Sequence, residues 1–516
     1  MGIPSYYKKL ADTVSGLIHY GEGEAISWLF MDFNCLIYHC LHREDTPVYP
    51  GEEHKKEWEA ELIECVIQYC LRVIKQVNPQ EGVYMAIDGV VPMAKMRQQR
   101  LRRFKSVWES GVSNDKWNTN AITPGTDFMK ALHEGLQRMI RTHKTKGSWL
   151  LSTSDEPGEG EHKIMARWRE SHVQHDKPIA VYGLDADLVV LSLLGRTQCK
   201  LKNVWLFRER MEEGKIAYDE EGKEQFEWFS IHALSDWLVT VKGIRILDYC
   251  FTMSVLGNDF LPSSLGLKMR DDGHAVLMEM LQDNHSHVLI DETTCEISFE
   301  GVEHFFTRLS RTETRQIEQA IHKKRMISSN LKKSSQPSMN LGQHNWPLEH
   351  IEEECLLSPM THKLEDRWYV RYQKQFFPGQ TTESVTEVYL YGLQWIWSYY
   401  TGRMENVCFN WYYPFSLPPL WSWVVSMIQT GVYAFPTDIQ LKAHDIRPVE
   451  QLALVLPLES WSLIPSHAVK ERKFPLLAPQ FFPSSFGFES VGKRYFWECE
   501  AMIPLPSMVE LKAIIA

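Results

Sequence analysis

Over the first 310 residues, short apolar runs rich in β-prone residues alternate with longer stretches whose apolar positions recur at helical spacing. The runs are AISWLFMDF (25–33), GVYMAID (82–88), GSWLLSTS (147–154), KPIAVYGL (177–184) and KNVWLFRE (202–209). Runs of this kind predict strands. The stretches between them predict helices over 58–76, 93–109, 127–142 and 162–170. Thr126 precedes the third of these, and its hydroxyl predicts an N-cap that closes the turn TPGT. Strands alternating with helices of this length predict an α/β fold, a mostly parallel sheet flanked by helices.

The pattern changes at 322–346, which is polar, basic and rich in Ser and Asn, and reads as a linker or mobile surface segment. Beyond it the chain is dense in aromatics, in YLYGLQWIWSYYTG and CFNWYYPFSLPPLWSW. Leu393, Ile396, Trp397 and Tyr400 fall at helical spacing, and the Pro-rich stretch after Trp411 reads as loop. Most of these rings read as core. A subset on CFNWYYP is placed to stack on nucleobases.

At 516 residues the chain exceeds one compact core, so two or three domains are expected. Its 44% hydrophobic and 23% charged content is that of a soluble globular protein. No apolar run is long enough to span a bilayer, and MGIPSYYKKL lacks the apolar stretch of a signal peptide, so no membrane partner is expected. Gly2 fits a myristoylation start superficially but reads as local structure. Ten scattered cysteines without a CxxC pair read as reduced thiols, which gives the cytoplasm as compartment, with the nucleus as the alternative, and little support for zinc.

The net charge of −11 argues against a polyanion partner until its distribution is considered. Seven acids recur beside apolar segments: Asp32, Asp88, Glu159, Glu161, Asp185, Asp187 and Asp259. Taken singly, an Asp at a strand end is usually a turn or capping residue. Together, Asp32, Asp88, Asp185 and Asp187 would lie along the carboxyl edge of the sheet, where ligands bind in such folds. Glu159 and Glu161 follow a Pro-Gly turn and open a helix, while Asp259 follows LDYCFTMSVLG, which reads as helix and approaches from another layer. Ionised carboxylates gathered at the edge of a core need compact positive charge, which hard divalent cations such as Mg²⁺ supply through oxygen ligands. The set is therefore expected to be catalytic through metal-dependent phosphoryl chemistry. KMRQQRLRRFK (95–105) contains no acid, and Lys95, Gln99, Arg102 and Arg103 share one helical face suited to a terminal phosphate, with Arg97 and Arg100 elsewhere.

These residues resemble the Xrn-type 5′→3′ exoribonucleases over nearly the whole chain. The resemblance is carried by MGIPSYYKKL, MDFN, IDGVVPMAKMRQQRLRRF, ITPGTDFM, PGEGEHKIM, YGLDADLVVL and LGNDFLP, then by YGLQWIWSYYTG, NWYYPF, EQLALVLP and FWECEAMIPLP. It implies a metal-dependent nuclease core of the flap-nuclease or PIN-like kind over 1–310, a linker or mobile segment over 311–346, and an α-rich second conserved region over 347–516 that closes the active site. The seven acids match the family's metal site, expected to hold two Mg²⁺ ions with Mn²⁺ as a substitute. Lys95, Gln99, Arg102 and Arg103 match its 5′-monophosphate pocket. The family stacks the terminal base between a His and a Trp. Here the His position holds Tyr38, and the expected SWxW reads Cys408-Phe409-Asn410-Trp411, so Tyr38 with Trp411 or Phe409 is the expected clamp. The chain stops where the second region stops, as in a compact form of the kind large DNA viruses carry.

The implied activity is processive hydrolysis of single-stranded RNA bearing a 5′-monophosphate, in RNA decay, releasing nucleoside 5′-monophosphates, by a monomer functionally coupled to a decapping enzyme. Two rivals are a structure-specific 5′ flap DNA nuclease and a catalytically inactive RNA-binding scaffold. The first is disfavoured because GNDFLPSSLGLKMRDDGHAVLMEML lacks the Gly pattern of a helix-hairpin-helix, and the second because every acid is retained.

Overall fold

The computed structural model describes residues 5–21, 23–110, 116–143, 147–170, 176–212, 215–282, 286–333, 350–431 and 445–515, together with 348 and 442. Its centre is a seven-stranded sheet. In chain order the strands are β1 (Ile18–Tyr20), β2 (Trp28–Asp32), β3 (Gly82–Ala86), β4 (Ser148–Ser152), β5 (Ile179–Tyr182), β6 (Val204–Glu209), the small separate hairpin β7 (Met211–Glu212) and β8 (Lys215–Ile216), and β9 (Phe226–Ser230). The sheet order is β1-β9-β6-β5-β2-β3-β4. The five strands from β6 to β4 run parallel, and β9 and β1 pair antiparallel at one edge. The mostly parallel sheet and all five strands read from the sequence are therefore present.

Alternation along each strand divides the side chains between two cores, as a period of two requires. Leu29, Met31, Val83, Met85, Ala180, Tyr182, Trp205 and Phe207 bury on one face, against α2 (Phe33–Leu41), α3 (Lys55–Val77) and α5 (Asp127–Thr142). Phe30, Ala86, Ile179, Val181, Val204 and Leu206 bury on the other, against α6 (Gly160–Arg169) and α7 (Asp187–Cys199). The same second core continues into the distal half through Leu393, Trp395, Leu452 and Leu511. Thr126 caps α5 as expected, its Oγ1 accepting from Met129 N at 3.3 Å.

Against the distal half packs α4 (Met93–Ser110), which carries the basic face. Its start is tied to the distal half by Met93 N donating to Phe409 O at 2.7 Å and by Val91 N donating to Gln451 Oε1 at 3.0 Å. The segment expected as a linker from 311 requires correction. A 35-residue helix, Phe299–Lys333, runs through its first part, and 334–346 lie outside the described residues. No helix among the described residues is long and apolar enough to cross a membrane.

Candidate metal centre and phosphate pocket

Four of the seven acids are positioned by the carboxyl edge of the parallel strands, and two more by the start of α6. Asp32 ends β2 and sits at the N-cap of α2, and Asp88 lies two residues beyond β3. Asp185 follows β5, and Asp187 opens α7. Glu159 sits at the N-cap of α6, with Glu161 in its first turn. The switch in strand order falls between β5 and β2, so the crevice expected at a topological switch point is the one these acids occupy. Asp259 comes from another layer, after the helix Ile246–Met253 and a short 3-10 turn.

The packing is tight enough to require glycine. A Cβ on Gly160 would stand 2.6 Å from Asp32 Oδ1 and 3.0 Å from Ala86 O. With that space kept open, Gly160 N donates to Asp88 Oδ1 at 2.7 Å, so a free amide at the start of α6 holds one ligand candidate. Asn34 Nδ2 holds the other oxygen, Asp88 Oδ2, at 2.8 Å. Ligand atoms of Asp32, Asp88 and Glu161 lie within 4.8 Å of one another, as do those of Glu159, Glu161 and His162.

This proximity is electrostatically costly. Asp32 and Glu161 are held well above the ordinary carboxylate range, first by burial and then by neighbouring acids. Burial and Glu159 push Asp88 up to about 6, and burial and Asp185 push Asp187 up to about 6. Asp187 Oδ1 is buried without a hydrogen-bond partner among the described residues. Lys95 offsets part of the charge: its Nζ lies 2.6 Å from Glu159 Oε2 and 2.8 Å from Asp259 Oδ2. Burial alone would raise Asp259, but the ammonium overcomes it and holds the acid down at about 2. An all-oxygen set under mutual repulsion, with an unpartnered buried oxygen, fits hard divalent cations.

A cavity of about 430 Å³ brings six of the acids, all but Asp187, together with Lys95, Gln99, Arg102, Arg103 and Tyr38. Arg102 is exposed, and Gln99 Oε1 and Arg103 Nη1 are buried without a partner among the described residues. Burial lowers Arg103 to about 10. The four residues read as one face thus line the same cavity, with Lys95 turned toward the acids. Arg100 departs from the basic surface altogether. It is fully buried, its Nη1 donating to Leu454 O at 2.6 Å and its Nη2 to Phe481 O.

The rings read as a clamp lie apart from one another. Tyr38 lines the cavity, but Trp411 does not. The Trp411 indole packs 5.0 Å from Trp395 and 5.6 Å from Tyr391, ring centre to ring centre, over the space left by Gly392. Phe409 is buried at 2% exposure. Both rings are held by the aromatic core that the dense segment forms around the helix Thr382–Thr401.

Three residues of the site went unmarked in the sequence reading. Tyr399 donates its hydroxyl to Glu159 Oε1 at 2.9 Å, and its ring lies 3.8 Å from that of His162. Burial, then Arg169 and Lys95, keep His162 neutral by lowering it well below the usual range. Lys163 Nζ ties α6 to the strand ends by donating to Ile87 O at 2.7 Å and Thr153 O at 2.8 Å. The i, i+1 placement of His162 beside Glu161 was visible in the sequence, but nothing in the aromatic run singled out Tyr399.

A family model described as XRN 5′-3′ exonuclease N-terminus matches residues 1–210, and one described as Xrn1 helical domain matches 360–514. Human 5′-3′ exoribonuclease 1 is 26% identical over 98% of this chain and 33% of its own length. Arabidopsis thaliana 5′-3′ exoribonuclease 2 is 25% identical over 92% of this chain and 61% of its own. The 5′-3′ exoribonuclease 1 of Saccharomyces cerevisiae is 30% identical over 56% of this chain and 21% of its own. The chain therefore spans less than two thirds of the length of each of these relatives. Among solved structures, the catalytic core of Rad2 in complex with DNA substrate aligns with a TM-score of 0.31 at 12% identity, covering 55% of this chain and 68% of that one.

Proposed function

This chain belongs to the Xrn 5′-3′ exonuclease family, and from that premise we propose that it is a Mg²⁺-dependent 5′→3′ exoribonuclease acting on 5′-monophosphorylated single-stranded RNA. The observation that carries the reading is that one cavity joins the acid cluster to Arg102 and to Arg103 on α4, the Nη1 of Arg103 being buried without a partner among the described residues. Asp32, Asp88, Glu159, Glu161, Asp185, Asp187 and Asp259 would hold two divalent ions, Mg²⁺ or Mn²⁺. Bound there, such ions supply Lewis acidity for in-line hydrolysis of a phosphodiester.

The chain's own residues set where the cut falls. Gln99, Arg102 and Arg103 grip the terminal phosphate, a planar fork and an amide being matched to its oxygens. Tyr38 lines the same cavity and offers its ring to the terminal base. Lys95 lies between the two groups, bound to Glu159 and Asp259. A phosphate held on α4 and acids across the same cavity fix the scissile bond one nucleotide from the 5′ end. Each cut leaves a new 5′-phosphate that fits the same grip, which supports processive release of nucleoside 5′-monophosphates. A reaction that converts capped or triphosphorylated ends to monophosphates, as decapping does, would supply the substrate.

End-labelled RNA with 5′-phosphate or 5′-hydroxyl and a labelled DNA flap, each with Mg²⁺ or EDTA, test the reading. Mononucleotides are expected from 5′-phosphate RNA with Mg²⁺ alone. Asp185→Asn should abolish release while RNA binding stays measurable. Arg102→Ala should shrink the rate gap between the two RNA ends. Preferential cutting of the flap would replace this reading with the DNA nuclease.

A further inference from the structure

A second cavity, of about 240 Å³, adjoins the first along the neighbouring face of α4, lined there by Arg97, Gln98, Leu101, Arg102 and Lys105. The two share Gln98, Arg102 and Asp259, so they meet where the phosphate face touches the acid set. Gln98 Oε1 is buried at this junction without a partner among the described residues. One wall comes from 489–500 and carries Lys493 and Trp497, and Phe415 also lines the cavity.

The charges around this cavity are unequal in availability. Each carboxylate from this wall is engaged: Glu500 by Arg97 at 3.4 Å, Glu489 by the Ser416 hydroxyl at 2.8 Å and Glu498 by Arg270 at 2.5 Å. Lys105 is spent on Cys499 O at 3.0 Å and on Phe496 O, and Lys268 on Gly492 O. Lys493 lines the cavity and forms no ion pair within 4 Å among the described residues, whereas Arg102, at the junction, acts on Asp259 and belongs to the phosphate face. The opposite arm of the first cavity differs, since Arg43 there is bound to Glu224 at 2.5 Å and Asp45 at 2.7 Å. Lys493 beside the part-exposed rings of Phe415 and Trp497, the latter with the Arg270 guanidinium 5.3 Å from its ring centre, makes a track for a nucleic acid single strand.

We propose that the second cavity carries the RNA strand on the 3′ side of the scissile bond, with Lys493 meeting a backbone phosphate and Trp497 stacking on a base. The inference rests on the exoribonuclease reading, which places the terminal nucleotide in the first cavity. Helix α4 then guides substrate on two adjacent faces, one for the leaving nucleotide and one for the strand that remains.

The test is equilibrium binding of 5′-phosphorylated RNA by fluorescence anisotropy, with Ca²⁺ in place of Mg²⁺ to prevent turnover. The probes are a dinucleotide and a strand of roughly twelve nucleotides, a length in the range that single-strand sites cover. Lys493→Glu should weaken the longer probe about tenfold and reduce its salt dependence, while leaving the dinucleotide unchanged. Trp497→Leu should weaken the longer probe without changing the salt slope. Equal weakening of both probes would overturn the inference by placing Lys493 at the terminal-nucleotide site. No change with either probe would overturn it while the exoribonuclease reading stands. Failure of the unmodified protein to bind either probe would overturn both.

Discussion

At the residue scale, the site is a problem of charge held in place by one ammonium and by neutral donors. Glu159 is fixed by Lys95 on one oxygen and by the Tyr399 hydroxyl on the other. Burial and Glu159 hold the Tyr399 phenol well above its usual range, so it stays a donor. Groups that orient a ligand contribute to metal affinity without touching the metal, typically by 10-fold or more. Tyr399→Phe keeps the packed ring against His162 but removes this donor. Its expected effect is a loss of Mg²⁺ affinity on the order of tenfold, at the low end because Lys95 remains. Calorimetric Mg²⁺ titration checks this, and an unchanged affinity would reduce Tyr399 to a packing residue. The acids were legible because each interrupts a recognisable local pattern, a strand end or a Gly turn. Tyr399 was not, because its partner is 240 residues away and its neighbours are equally aromatic.

At the element scale, the helix Phe299–Lys333 shows why a polar stretch misled the sequence reading. Val302, Phe305, Phe306, Leu309, Ile317 and Ile321 form its buried stripe. The stripe continues through Glu313, Lys324 and Ser328, buried polar residues that hide the period. Lys324 is paired with Glu353 at 2.9 Å. Glu313 reaches the start of the helix Trp421–Gln429, where its Oε1 accepts from Trp421 N at 2.9 Å and satisfies an otherwise free first-turn amide. Burial dominates these hydrogen bonds and pushes Glu313 up to about 8. The unfolded chain releases this proton near 4.5, so between about 4.5 and about 8 the folded state binds more protons than the unfolded one. The contribution is complete below that window and is lost as pH rises through it. Glu313→Gln preserves an acceptor and cannot ionise. Its stability relative to the unmodified protein should therefore rise with pH by up to about 1 kcal/mol per unit across the window, read from urea midpoints at several pH values. A difference independent of pH would refute the assignment.

At the scale of the whole molecule, α4 is both the substrate face and the seam between the two halves. Its outer residues Gln99, Arg102 and Arg103 face the candidate site, while Arg100 is driven the other way into the distal half. There it donates to the carbonyls of Leu454 at 2.6 Å, Pro504 at 3.3 Å and Phe481, with its guanidinium 4.5 Å from the Phe104 ring centre. The alternation of basic residues in MRQQRLRRF reads as uniformly polar, so the inward turn of one Arg was not visible before the distal carbonyls were in place. One hydrophobic core runs from Tyr6 to Ile515 across this seam, so the halves should not unfold separately. Arg100→Met keeps a long apolar stem but strands three buried or half-buried carbonyls, an expected cost of about 3 kcal/mol. If the seam is structural for both halves, far-ultraviolet circular dichroism and tryptophan fluorescence should shift together to a lower denaturant midpoint as one transition. Two separated transitions in the variant would show that the core is not shared. Loss of activity at denaturant concentrations below the fluorescence midpoint would show that the α4 face loosens before the core it joins.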